Sequence, residues 1–219
     1  MGDKTLKPLS RTRINPPCRT VLMVAREIEL KLQIREVNLA KQEHLTEEFL
    51  KMNPLHTIPV FEDCGYVLSD SHAIACYLID EYAKYDTLYP RDLQKRALIN
   101  QCLMFEVGTM FPPLKRHPMY LLRQSSISEE KMNACKEAYW YLNKMLEGKV
   151  WLVGKSYTVA DISCVTLASS ASIFMDMDLF PNVKAWIKRC EQEIPSYSEC
   201  NVPGLTKLHT LLVSALSSS

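Results

Sequence analysis

Apolar and polar residues follow two different rhythms along this chain, and the change between them falls near residue 90. In the first part, short apolar runs bounded by Pro, Gly, Asn and Asp read as strands. One is placed in Lys7 to Ile14, a second in Lys31 to Val37, a third in the run entered through Ile58-Pro59, and a fourth at Tyr66-Val67-Leu68. The first is poorly suited to the centre of a sheet, because Pro8 lacks a ladder donor and Arg11 and Arg13 resist burial. Helical spacing fills the intervals. Pro16-Pro17 opens a helix with Val21, Leu22, Val24, Ala25 and Ile28 on its apolar face. Lys41 to Met52 reads as a polar helix, and Ala73, Ile74, Tyr77 and Leu78 mark another that runs to Tyr82.

From Asp92 onward no strand pattern remains. Leu93 to Phe111 repeats apolar residues at helical intervals and should be one long helix, interrupted by Pro112-Pro113, whose rings remove donors and disfavour the α conformation in the preceding residue. Ser128 to Leu146 reads as a capped amphipathic helix. Thr158-x-x-Asp161 is a capping-box opening to an apolar helix reaching Phe174, so Asp161 is read as a structural cap. Pro181 begins a further helix to Ile194, and Tyr197 to Ser219 forms a tail helix. With Ala83 to Arg91 as linker, the expected division is an α/β domain over residues 1–83 and an all-helical domain over 91–219.

Composition narrows the class. The 219 residues are 47% hydrophobic and 23% charged, which suits a globular chain with a substantial core. A formal net charge of +1 supplies no nucleic-acid footprint, and no apolar run reaches membrane-spanning length. Met1 to Ser10 contains two lysines and no apolar signal core, so the expected location is cytoplasmic. Eight scattered cysteines without CxxC or metal spacing read as free thiols, and no metal is expected.

The candidate chemistry lies in two segments, Asn53-Pro54-Leu55-His56-Thr57-Ile58-Pro59-Val60-Phe61 and Ser69-Asp70-Ser71-His72-Ala73-Ile74. Extended backbone around Ile58-Pro59 can pair with a peptide-like ligand, and short polar residues at a helix start can hold a carboxylate. These segments resemble the NPxHTIP and ESRAI signatures of the glutathione transferases. Their order and spacing suit the insect delta and epsilon members. Leu88-Tyr89-Pro90, Thr158-Val159-Ala160-Asp161-Ile162 and Phe180-Pro181-Asn182-Val183 extend the resemblance over nearly the whole chain. It implies the glutathione transferase fold, a thioredoxin-like α/β domain with a mixed sheet followed by an all-α domain, and a homodimer.

The resemblance also implies an activity: glutathione, as co-substrate, is joined to a hydrophobic electrophile, as in detoxification. Such enzymes lower the pKa of the tripeptide's thiol, because thiolate is the nucleophile. Delta and epsilon members place a serine before Pro-Pro, and this chain has Asn15 there. Three readings of Asn15 stand: a helix cap, an amide donor to the thiolate, and a lost activation that leaves a binding protein. Cys18 lies three residues past the place of a catalytic cysteine and reads as a packed thiol. By the same resemblance, His44, His56, Thr57, Ile58, Pro59, Asp70, Ser71 and His72 hold glutathione. Ile58 would pair through its backbone, Asp70 would take the γ-glutamyl ammonium and Ser71 its carboxylate. His72 replaces an arginine fork, which should weaken binding and make it pH dependent. Phe105, Phe111, Leu114 and Leu208 are the expected wall of the electrophile site.

The rival reading is a non-catalytic binder of glutathione and hydrophobic ligands, steroids included. The Asp70-Ser71-His72 variant and the phenylalanines of the fourth helix are similar to the Noppera-bo branch, although Leu114 falls near the place of that branch's steroid-binding acid.

Overall fold

The structure is a computed structural model that describes residues 4–7, 14–39, 41–114 and 128–217. A four-stranded sheet is built from β1 (Lys4–Lys7), β2 (Gln33–Ile34), β3 (Val60–Asp63) and β4 (Tyr66–Ser69) in the order β2-β1-β3-β4. β1 runs parallel to β2 and antiparallel to β3, and β3 is antiparallel to β4. Helix α1 (Pro16–Glu27) joins β1 to β2, the short α2 (Glu47–Met52) precedes β3, and α3 (Ser71–Tyr82) follows β4. This is the mixed thioredoxin-like layout expected from the pattern.

Two strands differ from expectation. The first is described over Lys4–Lys7, ahead of the stretch expected; residues 8–13 of the expected strand lie outside the described residues. The second keeps only two of its seven expected residues, Gln33 and Ile34, both exposed. The polar helix of 41–52 also divides, into a 3₁₀ turn at Glu43–Leu45 and α2, because Thr46 caps the backbone N–H of Phe49 and starts a new helix there.

Beyond the linker all elements among the described residues are helical, chiefly α4 (Leu93–Phe105), α5 (Phe111–Leu114), α6 (Glu129–Met145), α7 (Val159–Ala171), α8 (Pro181–Glu193) and α9 (Val202–Ser217). Pro112-Pro113 does not end the fourth helix as expected. A π-turn at Glu106–Met110 precedes it, with the Phe111 N–H reaching back five residues to the Glu106 carbonyl. The prolines thereby fall at the second and third positions of α5, directly after the π-turn.

The core is continuous across the two halves. Val24, Phe61, Ile74 and Leu78 from the α/β half belong to the same buried cluster as Ile99, Leu103, Val165 and Trp186 from the helical half. Every residue of α7 is buried, and its start is fixed by Asp161, which accepts from the Thr158 N–H at 2.9 Å, the Leu152 N–H at 3.0 Å and Trp186 Nε1 at 3.0 Å. The bond from Thr158 is the cap that the sequence suggested, while those from Leu152 and Trp186 tie the preceding loop and α8 to the same carboxylate. A second cluster, Ile14 with Leu208 and Leu212, packs the chain entering α1 against α9.

Candidate active site

Sheet register brings the candidate residues to one end of the α/β half. Val60 pairs with Lys7 on one side and Ser69 on the other, so Ile58-Pro59, just before β3, lies beside Asp70-Ser71, just after β4. The Ile58-Pro59 bond is cis. The chain leaving β1 at this same end leads on to Asn15 and α1.

Asn15 occupies the N-cap position of α1 with extended backbone (φ −79°, ψ 118°), yet its side chain makes no capping bond. The cause is local. Pro16 and Pro17 carry no N–H, and the N–H groups of Cys18 and Arg19 already donate to the Asn15 carbonyl at 3.1 and 3.2 Å. The half-buried amide is therefore not consumed by the helix it begins. Cys18 is fully buried, and burial pushes its thiol far up despite the neighbouring Arg19 charge, which leaves no nucleophile there at neutral pH.

The loop before β3 is organised by Asn53, which is 2% exposed. Its Nδ2 donates to the Thr57 carbonyl at 2.8 Å and Oγ1 at 3.0 Å, its Oδ1 accepts from the Leu55 N–H, and its carbonyl accepts from the His56 N–H. His56 is exposed with φ +46°, and its ring lies 6.1 Å from that of His44. His44 Nδ1 is buried without a partner among the described residues, and burial followed by the His56 charge lowers the His44 pKa.

Asp70 caps α3 from a left-handed backbone (φ +80°), its Oδ1 accepting from the N–H groups of His72 at 2.9 Å and Ala73 at 3.1 Å. The hydrogen bond from His72 holds the Asp70 carboxyl below its ordinary range, against the opposing effect of burial. Ser71 is buried at the first turn of α3.

His72 does not lie on the open surface of this site. It is 7% exposed and held between Asp70, with Nδ1 at 3.5 Å from Oδ1, and Glu106 of the π-turn, with Nε2 at 2.7 Å from Oε2. The Glu106 oxygen is near Nε2 but off the direction of its N–H, so the contact is an ion pair rather than an aligned hydrogen bond. Burial opposes the charge, but the two carboxylates prevail and raise the His72 pKa to about 9. The imidazole thus ties the helix start that carries Asp70 to the helical half.

The other expected wall residues divide. Phe105 and Phe111 flank the π-turn and are half-buried, while Leu114 is nearly buried at the end of α5. Leu208 is 2% exposed and packed on Ile14, so it supports the chain entering Asn15 rather than an open wall. Sequence reading placed Asn53 in the candidate segment without a role of its own and did not single out Glu106 or Arg19. The available signal was a polar or charged residue within an otherwise apolar helical face, as at Arg19 between Cys18 and Val21.

Two family models match this chain, the glutathione S-transferase N-terminal domain over residues 16–81 and the C-terminal domain over residues 104–193. Glutathione S-transferase 1 of Manduca sexta is 36% identical over 209 residues, covering 93% of this chain and 95% of that protein. The chain belongs to the glutathione S-transferase family. An epsilon-class transferase from the housefly, Musca domestica, superposes with a TM-score of 0.88 at 35% identity, covering 97% of this chain and 98% of the other. A glutathione transferase homologue of Drosophila mojavensis with bound glutathione superposes with a TM-score of 0.89 at 33% identity, covering 98% of each. A delta-class transferase of Nilaparvata lugens likewise gives 0.89 at 30% identity. The delta/epsilon resemblance is thus shown over both halves. Among the described residues no helix of the transferase is long and apolar enough to cross a membrane.

Proposed function

We propose that this transferase joins glutathione to small hydrophobic electrophiles, with the Asn15 amide donating to the thiolate. The observation that carries the reading is the Asn15 side chain: it stands at the N-terminus of α1, where the helix dipole favours a thiolate, and its amide is not spent on the cap. Ile58 supplies main chain for the cysteinyl unit. Asp70 retains Oδ2 beyond its Oδ1 capping bonds for the γ-glutamyl ammonium, and Ser71 offers its N–H and hydroxyl to the carboxylate. His44 Nδ1, buried and unpartnered among the described residues, and the exposed His56 and Thr57 face the glycine end. Phe105, Phe111 and Leu114 form the electrophile wall.

The division at residues 1–83 and 91–219 and a cytoplasmic location belong to the same reading. So does a homodimer, supported by the exposed apolar side chains Leu98 and Met104 on α4, Val107 on the π-turn that follows it, and Tyr66 and Val67 on the edge strand.

The second reading, a glutathione-dependent binder without turnover, is favoured by His72, which faces inward where an arginine fork is expected. Chlorodinitrobenzene turnover together with glutathione calorimetry separates the two. Asn15→Ala should lower kcat/KM about a hundredfold with a small change in glutathione affinity, and Asn15→Ser should restore most of the loss. Unchanged turnover in Asn15→Ala removes the donor role, and glutathione binding by the parent without turnover selects the binder.

A further inference from the structure

Arg19 lies one helical turn past Asn15 and is completely buried, and its backbone N–H donates to the Asn15 carbonyl. Its guanidinium crosses into the helical half. Nη1 donates to Asn201 Oδ1 at 2.6 Å, and Nη2 donates to the Thr166 carbonyl at 2.9 Å and to the Ser170 hydroxyl. All three partners are neutral, and no carboxylate pairs with Arg19 among the described residues. Glu27 is committed to the Tyr157 hydroxyl and the Ser196 N–H, and Glu199 to Arg26. The titratable groups that face Arg19 are Tyr197, beside it on the π-turn before α9, and Cys18 on its own helix; burial raises both, so neither is anionic at neutral pH. From α7 it meets only hydroxyl and carbonyl groups. Burial pulls the guanidinium down to about 10, which leaves it cationic at pH 7.

A buried cation with no counter-charge is costly to the fold, and a paired one would serve packing as well. Its placement behind the residue assigned to the sulfur gives it another use. We propose that Arg19 is a positioning residue whose unneutralised charge, held behind Asn15 by Asn201, Thr166 and Ser170, lowers the pKa of the bound glutathione thiol as its proton leaves to water. This rests on the reading of glutathione at Asn15. A unit charge roughly 10 Å away, through an effective dielectric of about 20, moves a thiol by about one pKa unit, a tenfold change in thiolate.

The test neutralises the charge without deleting the arginine. Asn201→Asp sets a carboxylate against Nη1 in a side chain of the same shape. The thiol pKa of bound glutathione is read from thiolate absorbance against pH, and the pH profile of kcat/KM is recorded alongside. Asp70, His44 and His56 also act on the sulfur but are common to both proteins, so the difference isolates Arg19. The expected result is a thiol pKa raised by about one unit, kcat/KM about tenfold lower near pH 6.5 and converging with the parent at high pH, and a Tm at or above the parent's. Asn201→Ala, which loses the hydrogen bond but leaves the charge, should keep the parent's thiol pKa. Ser170→Asp, which sets the carboxylate on Nη2 from another helix, gives the same reading should Asn201→Asp not fold. A parent that binds and turns over glutathione, with an unshifted thiol pKa in the folded aspartate variant, overturns this proposal alone. A parent that takes up no glutathione overturns it together with the proposed function.

Discussion

Replacing Glu106 by glutamine removes one charge and almost no volume from the contact between the two halves. In the folded protein the buried His72 has its pKa raised from 6.5 to about 9 by Asp70 and Glu106 acting against desolvation. At 1.36 kcal/mol per pKa unit this rise is worth about 3 kcal/mol of folding free energy. Because the folded value lies above the unfolded one, that stability is fully present below pH 6.5 and is lost as pH rises through about 9. Other groups titrate in this interval, so the informative quantity is the difference between parent and variant. Urea unfolding at pH 6 and pH 10 supplies it. Glu106→Gln should be less stable by about 2–3 kcal/mol at pH 6, where it leaves the imidazolium with Asp70 alone, and nearly equal to the parent at pH 10. A gap of the same size at both pH values would show that Glu106 acts by packing and not by charge, and the assignment of the pair would be wrong.

Further outcomes follow from the same geometry. Asn53→Ala releases three side-chain hydrogen bonds that shape the 53–57 loop and should raise the KM for glutathione about tenfold while changing kcat about twofold or less, measured by steady-state conjugation. Asp161→Ala removes the acceptor of several donors at the start of the fully buried α7 and should lower stability by about 2–5 kcal/mol in urea unfolding, with no specific effect on the KM of the folded fraction. For the proposed homodimer, the double change Leu98→Glu, Met104→Glu on the exposed face of α4 should halve the mass seen by sedimentation; a variant that stays dimeric would place the contact elsewhere, and a monomeric parent would remove the dimer.

The helices were legible where a local chemical signal starts them: Pro16-Pro17 for α1, Asp70 for α3, Thr158 with Asp161 for α7. Each is a short-range arrangement that needs nothing distant to form. The sheet was less so. β1, with the sequence Lys-Thr-Leu-Lys, carries no apolar run of its own and is defined by its pairing with β2 and β3, which a local pattern does not contain. The π-turn escaped for a related reason, since prolines show where a donor is missing but not that the preceding turn will widen to accommodate them. In the site, the residues proposed to meet glutathione before β3 and at the start of α3 stand in compact motifs. Their supports do not: Glu106 lies 34 positions from His72 in the chain, and Arg19 is 182 from Asn201, so only tertiary structure joins them.

Helix α9 is the last of the described elements, yet Leu208 and Leu212 back Ile14, the residue immediately before Asn15. Helix α9 is therefore a foundation for the segment that carries Asn15. On the proposed reading, a substitution that withdraws Leu208 or Leu212 from Ile14 would disturb the placement of Asn15 from the far side of the sequence.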